Sequence, residues 1–300
     1  AAGGGGEWVW SSRTWYTALK ASKRLGDWRA GRSLLQRFDA TAAAAAAEGD
    51  GGGGGESASL DAGAFQVVMA TCLASGDPAA LRCAREELMP QAEARGLGRG
   101  DVYGAAMQAS VVLGDPDAAW ALHRRAREKG VPLFAPELNI ALGAGARCGK
   151  LRDALALLDE MRAARDGGGG ALAGGGGRAA AGGGLSGGGL AAPDVGSYDA
   201  VLKPLMMERR DDEMLRRFEQ MGAEGLRPLE SHFRLAISAC ANLRQGGRAA
   251  ALLLRMQQDG LRYQDAAADA MSACCREGHP DLALDIFESV RREVPASAAA

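Results

Sequence analysis

Seven times along the chain an apolar residue, aromatic in five copies, is followed four positions later by a large aliphatic one. The leading residues are Trp15, Phe65, Tyr103, Leu138, Tyr198, Phe233 and Ala267, and their followers are Leu19, Met69, Met107, Leu142, Leu202, Ile237 and Met271. A spacing of four puts both members on one face of a helix. Small residues come next, six and seven positions after each leading residue or anchor, as in Thr71 and Cys72, Ala109 and Ser110, Ala239 and Cys240, and Ala273 and Cys274. They let a second helix approach closely. Eleven positions after the anchor, Gly26, Gly76, Gly114, Gly149 and Gly278 supply the left-handed turn that closes the first helix. A second apolar stripe follows, through residues such as Leu34, Leu35, Leu122, Leu157, Leu158, Phe218, Leu252, Leu253, Ile286 and Phe287. Gly130, Gly225 and Gly260 then close several second helices, with Pro132 and Pro228 just beyond. The pattern predicts helix, turn, helix, turn in a unit of about 35 residues. Such a pair buries both its faces only by stacking on its neighbours.

Successive anchors lie 50, 38, 35, 60, 35 and 34 residues apart, and the two long intervals hold the low-complexity tracts. The first tract has six consecutive alanines, Ala42 to Ala47, and then EGDGGGGGESAS; the second has 14 glycines in the 23 residues from Gly167 to Gly189. Glycine offers nothing to bury and loses the most backbone entropy on ordering, so both tracts are expected to be flexible insertions. Neither carries GxxxxGK[ST], nor a GxGxxG that follows a strand, which removes the usual glycine-rich nucleotide loops.

Charge and rare residues narrow the chemistry. With 35 Lys and Arg against 37 Asp and Glu, the formal charge is -2, which argues against a strongly basic coat as the main device. Six cysteines and three histidines show no CxxC, HExxH or zinc spacing, and no apolar run reaches the roughly 20 residues that cross a bilayer. Cys72, Cys240 and Cys274 read as compact fillers at the small-residue position. Asp211, Asp212 and Glu213 begin a second helix, where acids complement the helix dipole, and Asp281 sits in the same place; no catalytic or metal role is assigned to them, and no cofactor is expected.

The copies resemble the pentatricopeptide repeat. The resemblance rests on FRLAISACANLRQGGRAAALLLRMQQDGLR (Phe233 to Arg262), LNIALGAGARCGKLRDALALLDEMR (Leu138 to Arg162) and MSACCREGHPDLALDIFESV (Met271 to Val290), with looser matches over Tyr16 to Phe38 and Tyr103 to Val131. It implies an all-α fold, an α–α superhelix of about seven helical hairpins. The repeats would span residues 13–40, 60–94, 99–131, 134–165, 194–228, 229–262 and 263–294. A linker (41–59), a glycine-rich insert (166–193) and disordered ends (1–12 and 295–300) would complete the chain.

In that family the first helices bind single-stranded RNA in chloroplasts or mitochondria. A base is read by the residue after the anchor together with the last residue of the repeat. Carried over, the first set is Tyr16, Gln66, Gly104, Asn139, Asp199, Arg234 and Ala268, and the second is Asp61, Arg99, Phe134, Asp194, Leu229 and Tyr263. Gln66, Asn139, Asp194, Asp199 and Arg234 are the candidate base-facing residues. Asn139 with Asp194 resembles a uracil-preferring pair. Gly104 and Ala268 offer no polar edge with which to read a base. Seven basic residues against Asp27 between Arg13 and Arg37 add sequence-blind phosphate contacts, with Arg24, Arg29, Arg32 and Lys150 as candidates. A second basic cluster is Arg124, Arg125, Arg127 and Lys129, and the bland reading of every cluster is a solvated outer face.

The expected partner is therefore single-stranded RNA, without a membrane and without chemistry of the chain's own. Two alternatives remain at this point. One is a helical scaffold for protein partners in an organellar ribosomal or RNA-processing complex. The other is a non-catalytic repeat fragment of a protein resembling the protein-only ribonuclease P.

Overall fold

The computed structural model describes residues 12–47, 62–167 and 191–293, and among them every regular element is helical. The linker beyond residue 47, most of the glycine-rich insert and both chain ends lie outside the described residues. The helices form two compact units that divide between Ala144 and Gly145.

In the first unit, α1 (Ser12–Leu25) pairs with α2 (Trp28–Ala47), and both pack on α3 (Ala62–Ser75). The second helix of repeat 2 runs without a break through α4 (Pro78–Arg82), a π-helical stretch (Cys83–Leu88) and α5 (Met89–Ala94). In the stretch, the Met89 N–H bonds to the Ala84 carbonyl five residues back. Pro90 follows directly; it brings no N–H and its ring crowds the carbonyl four residues earlier, which favours the wider turn there. The helices α6 (Gly100–Val112) and α7 (Pro116–Glu128) form the next pair, with α6 packed on α3, and α8 (Ala135–Arg147) comes after them.

In the second unit, α9 (Leu151–Gly167) packs on α10 (Val195–Met207), which pairs with α11 (Asp211–Ala223). The pairs α12 (Glu230–Asn242) with α13 (Gly246–Gln258) and α14 (Gln264–Glu277) with α15 (Pro280–Glu293) follow. Each first helix here touches the first helix of the next repeat, α10 to α12 to α14, and α11 and α13 each pack against the first helix that follows them.

The anchors explain the packing. Phe65, Tyr103, Leu138, Tyr198 and Phe233 have no exposed surface, and neither do the followers Met69, Met107, Leu142, Leu202 and Ile237. Phe218 of α11 meets Phe233 edge to face at 5.3 Å, so the second-helix stripe of one repeat is closed by the anchor of the next. The eight glycines assigned to turns all adopt positive φ. In repeats 5 and 6, where the closing glycine is missing, Arg209 (φ 60) and Arg244 (φ 55) take the same left-handed conformation.

Two second helices, α4 and α7, begin on carboxylates that also tie repeats together. The Asp77 side chain accepts from the Ala79 N–H and from Trp28 Nε1 at 3.2 Å, and Asp115 accepts from the Ala118 N–H and from Arg85 at 2.8 Å.

α2 continues through the alanine run to Ala47, whereas the composition placed a linker from Thr41. Alanine has the highest helix propensity and no side-chain entropy to lose, so a run of it extends a helix already nucleated by repeat 1.

Candidate nucleic-acid interface

A residue that follows a buried anchor is turned about 100° around its helix, toward the surface of the first helix. Gln66 on α3, Asp199 on α10 and Arg234 on α12 are exposed there, and Asn139 on α8 is half-buried. Gly104 is buried instead: a Cβ at that position would lie 2.6 Å from Glu137 Cγ, because the Glu137 side chain folds over it while accepting the Phe134 N–H. The second set divides more sharply. Phe134 (64% exposed) and Leu229 (53%) stand out from the surface as bare apolar groups, while Tyr263 is buried. Asp194 caps α10, its Oδ1 accepting the Ser197 N–H at 2.9 Å.

Behind Asp199 lies a buried imidazole. His232, fully buried at the start of α12, faces Asp199 Oδ1 through Nε2 at 3.4 Å. Its Nδ1 accepts the Leu229 N–H at 3.1 Å, which leaves the proton on Nε2, directed at the carboxylate. Burial lowers the His232 pKa, and the neighbouring Asp199 charge only partly opposes it. The imidazole is therefore neutral at physiological pH.

The basic residues are mostly committed to the fold. Arg29 stacks over the Trp28 ring and pairs with Asp77 at 3.5 Å, and Arg32 pairs with Glu87 at 2.6 Å. Both link repeat 1 to repeat 2. The phosphate contacts expected of these two compete with carboxylates already in place, whereas Arg24 is exposed and Lys150 half-buried. The cluster at the end of α7 is committed in the same way. Glu93 collects the Tyr103 hydroxyl, Arg125 (3.3 Å) and Lys129 (3.2 Å), and Arg124 pairs with Glu128. Burial works against the Glu93 carboxylate, but the Tyr103 hydroxyl and the two cations outweigh it and hold its pKa below the usual carboxylate range.

Unit two repeats this arrangement with the charges exchanged between repeats. Glu224, the residue that ends α11, takes Arg162 and Arg165 of α9, beside the buried Tyr198 ring. Arg217, almost fully buried, forks onto Asp159, and that guanidinium is the main cause of a lowered Asp159 pKa.

No group of three or more His, Cys, Asp or Glu side chains that could hold a metal occurs among the described residues. Asp211, at the head of the acidic run, is buried and accepts from Asn242 Nδ2 at 3.1 Å. No helix among the described residues is long and apolar enough to cross a membrane.

Two segments, residues 144–165 and 270–293, match the family model of the PPR repeat. Both segments are pentatricopeptide repeats. Solved structures extend the likeness over almost the whole of it. The pentatricopeptide repeat protein PPR10 from maize superposes with a TM-score of 0.55 at 15% identity. PPR10 in complex with an 18-nt psaJ RNA element superposes at 0.57 and 20% identity. Each match covers 93% of this chain and 38% of the PPR10 chain. At such identities the likeness fixes the fold, an α–α superhelical solenoid of helical hairpins. A comparison with curated proteins finds no match.

The positions that follow the anchors have cationic neighbours that the periodicity alone did not single out. Lys20 lies four residues after Tyr16 on α1, and Lys203 four residues after Asp199 on α10; both are exposed. Lys20 Nζ sits 4.6 Å from the centre of the Tyr16 ring. The signal was the same four-residue spacing that identified the anchors, applied one position later.

Proposed function

We propose that this pentatricopeptide repeat chain binds single-stranded RNA along its first helices and acts in organellar transcript processing, stabilisation or translation, in a chloroplast or mitochondrion, by occupancy and without bond chemistry of its own. The observation that carries the reading is the common register of Gln66, Asn139, Asp199 and Arg234. Each directly follows a fully buried anchor, and each turns a hydrogen-bonding side chain toward the face of a first helix. The PPR10 complex supports the reading, since a protein of this fold holds an 18-nt RNA element.

Base reading is sparse. Asn139 and Asp194 are the one pair in which both members are polar and family-like, while Gly104, Phe134, Leu229 and Ala268 present no edge for hydrogen bonding. Binding is accordingly mostly electrostatic, with a preference at no more than one base. Fluorescence anisotropy of the chain with labelled poly(U), poly(A), poly(C) and random single strands tests this. The expected result is comparable affinity for all, slightly higher for poly(U), that falls steeply with salt. Absence of binding at about 50 mM salt would overturn the reading.

A second reading has its own support. Phe134 and Leu229 are large exposed apolar groups at matching positions, each four residues before the anchor of its repeat, Leu138 or Phe233. Such groups suit a protein partner in an organellar ribosomal or RNA-processing complex. Under this reading the chain binds no single strand even at low salt, and replacing Phe134 and Leu229 by serine abolishes partner binding.

A further inference from the structure

Adjacent repeats join in a fixed register. In repeat 5 the second helix α11 offers Leu215 and Phe218, both buried, and the Phe233 anchor of α12 closes over Phe218. The join between α13 and α14 gives the direction. There the Gly247 N–H donates to Glu277 at 2.9 Å, so the start of a second helix lies beside the end of the first helix that follows.

Two faces of the chain depart from this rule, and together they make up one join. Leu284 and Phe287 of α15 stand in the register of Leu215 and Phe218, yet are 63% and 51% exposed. Among the described residues α15 packs on α14 and α13, with Ala283 and Ile286 buried. The first-helix half of the join lies open on α1. Trp15 is half-buried, whereas the anchors Phe65, Tyr103, Leu138, Tyr198 and Phe233 have no exposed surface. Ala21 is exposed, although its counterparts Thr71, Ala109, Ala144, Ala239 and Ala273 are all buried, and Leu25 on the same helix is 82% exposed. A small residue with its helix surface bare leaves room for the close approach of another helix.

Charge says what fits. Residues 13–37 hold seven basic side chains against one acidic, and residues 264–293 hold seven acidic against three basic. In the register of the α13–α14 join, Asp281 in the first turn of α15 falls beside the last turn of α1, where Lys23 and Arg24 stand. The partner that suits α15 is therefore a helix with an exposed anchor face and a basic end. α1 has both.

We propose that the chain stacks head to tail on a second copy of itself, α15 of one molecule against α1 of the next. Trp15, Ala21 and Leu25 of one copy cover Leu284 and Phe287 of the other, as α12 covers α11 within the chain. The contact is heterologous, so each added copy leaves one face of each kind free and assembly grows with concentration. Opposite charge steers the two ends together and weakens as salt rises. The inference does not depend on what the first helices bind.

The test uses the full chain, freed of nucleic acid and kept in dithiothreitol so that exposed Cys275 adds no cross-link. Sedimentation velocity over about two decades of concentration should show a rising sedimentation coefficient, less so at high salt. Leu284→Glu with Phe287→Glu removes the α15 face, and Ala21→Glu with Leu25→Glu removes the α1 face. All four positions are exposed, and far-UV circular dichroism and melting curves should match the unmodified chain. Each double variant alone should remain a monomer. Mixed, they should form a one-to-one complex that grows no further, because each keeps the face the other has lost. A monomeric unmodified chain at every concentration, or either variant assembling alone, would overturn the proposal. So would a mixture that stays monomeric. Assembly indifferent to salt would remove the charge match that singles out a second copy.

Discussion

Arg209 and Arg244 occupy left-handed positions where five other repeats place glycine. A side chain there crowds the following carbonyl, at about 1–2 kcal/mol. Glycine relieves that crowding but makes the unfolded chain more flexible, so Arg244→Gly should stabilise by about 0.5–1 kcal/mol in urea unfolding. Loss of stability would mean that the Arg244 side chain contributes more than its backbone costs. Phe233 is the opposite case. Its ring is fully buried, packed on Phe218 and approached by the Arg255 guanidinium, so Phe233→Ala should cost about 3–5 kcal/mol. His232 adds a pH dependence. Its folded pKa is lowered, so the unfolded chain takes up the proton first. The contribution of the neutral imidazole is then complete above the unfolded value of about 6.5 and is lost as pH falls below it, down to the folded pKa. His232→Gln keeps an acceptor three residues into α12 that can reach back to the Leu229 N–H, and removes the titration. Its unfolding midpoint should therefore change less between pH 7 and pH 5 than that of the unmodified chain.

At the level of helices, the two glycines that open α13 separate packing from propensity. A Cβ on Gly246 would lie 2.5 Å from the Cα of Cys274, so Gly246→Ala forces α13 away from α14 and should destabilise by about 1–3 kcal/mol. A Cβ on Gly247 meets nothing within 4 Å, and Gly247→Ala should leave stability unchanged or raise it by up to about 1 kcal/mol. Equal effects in the two variants would show that the close approach of these helices does not constrain the repeat. The helices themselves were legible because anchor, follower and closing glycine each answer to local geometry: one face, one turn, one sign of φ. What escaped had causes that lie outside such a register. The extension of α2 into the alanine run is set by propensity, against a composition that suggested a linker. The π-helical stretch follows from Pro90 inside a helix whose other signals continue. The partners of Arg29, Arg32, Arg125 and Lys129 come from neighbouring repeats about 30 to 55 residues away, and a basic run alone names no partner. For the candidate interface, the post-anchor register was legible, but the burial of Gly104 under Glu137 and the imidazole behind Asp199 needed coordinates.

With a formal charge of -2, the chain as a whole provides no field to draw in a polyanion, so any attraction must come from exposed cations close to the first-helix face. Two groups of candidates make opposite predictions. Arg29 and Arg32 are paired to Asp77 and Glu87, so replacing them by glutamine removes ties between repeats 1 and 2 and should act chiefly on stability. Lys20 and Lys203 lie one helical turn beyond Tyr16 and Asp199 and are exposed, so they are placed to meet phosphates. Each phosphate contact with a single strand contributes a slope of about 0.7 in the logarithm of affinity against the logarithm of salt. The double variant Lys20→Gln with Lys203→Gln should therefore flatten that slope by about 1.4, weaken all homopolymers alike and leave thermal unfolding unchanged. The Arg29→Gln with Arg32→Gln variant should lower the melting temperature and keep the slope. Anisotropy titrations between about 50 and 200 mM salt, paired with melting curves, distinguish the two. A flattened slope in the arginine variant and not in the lysine variant would move the phosphate path from the first helices to the seam between repeats 1 and 2.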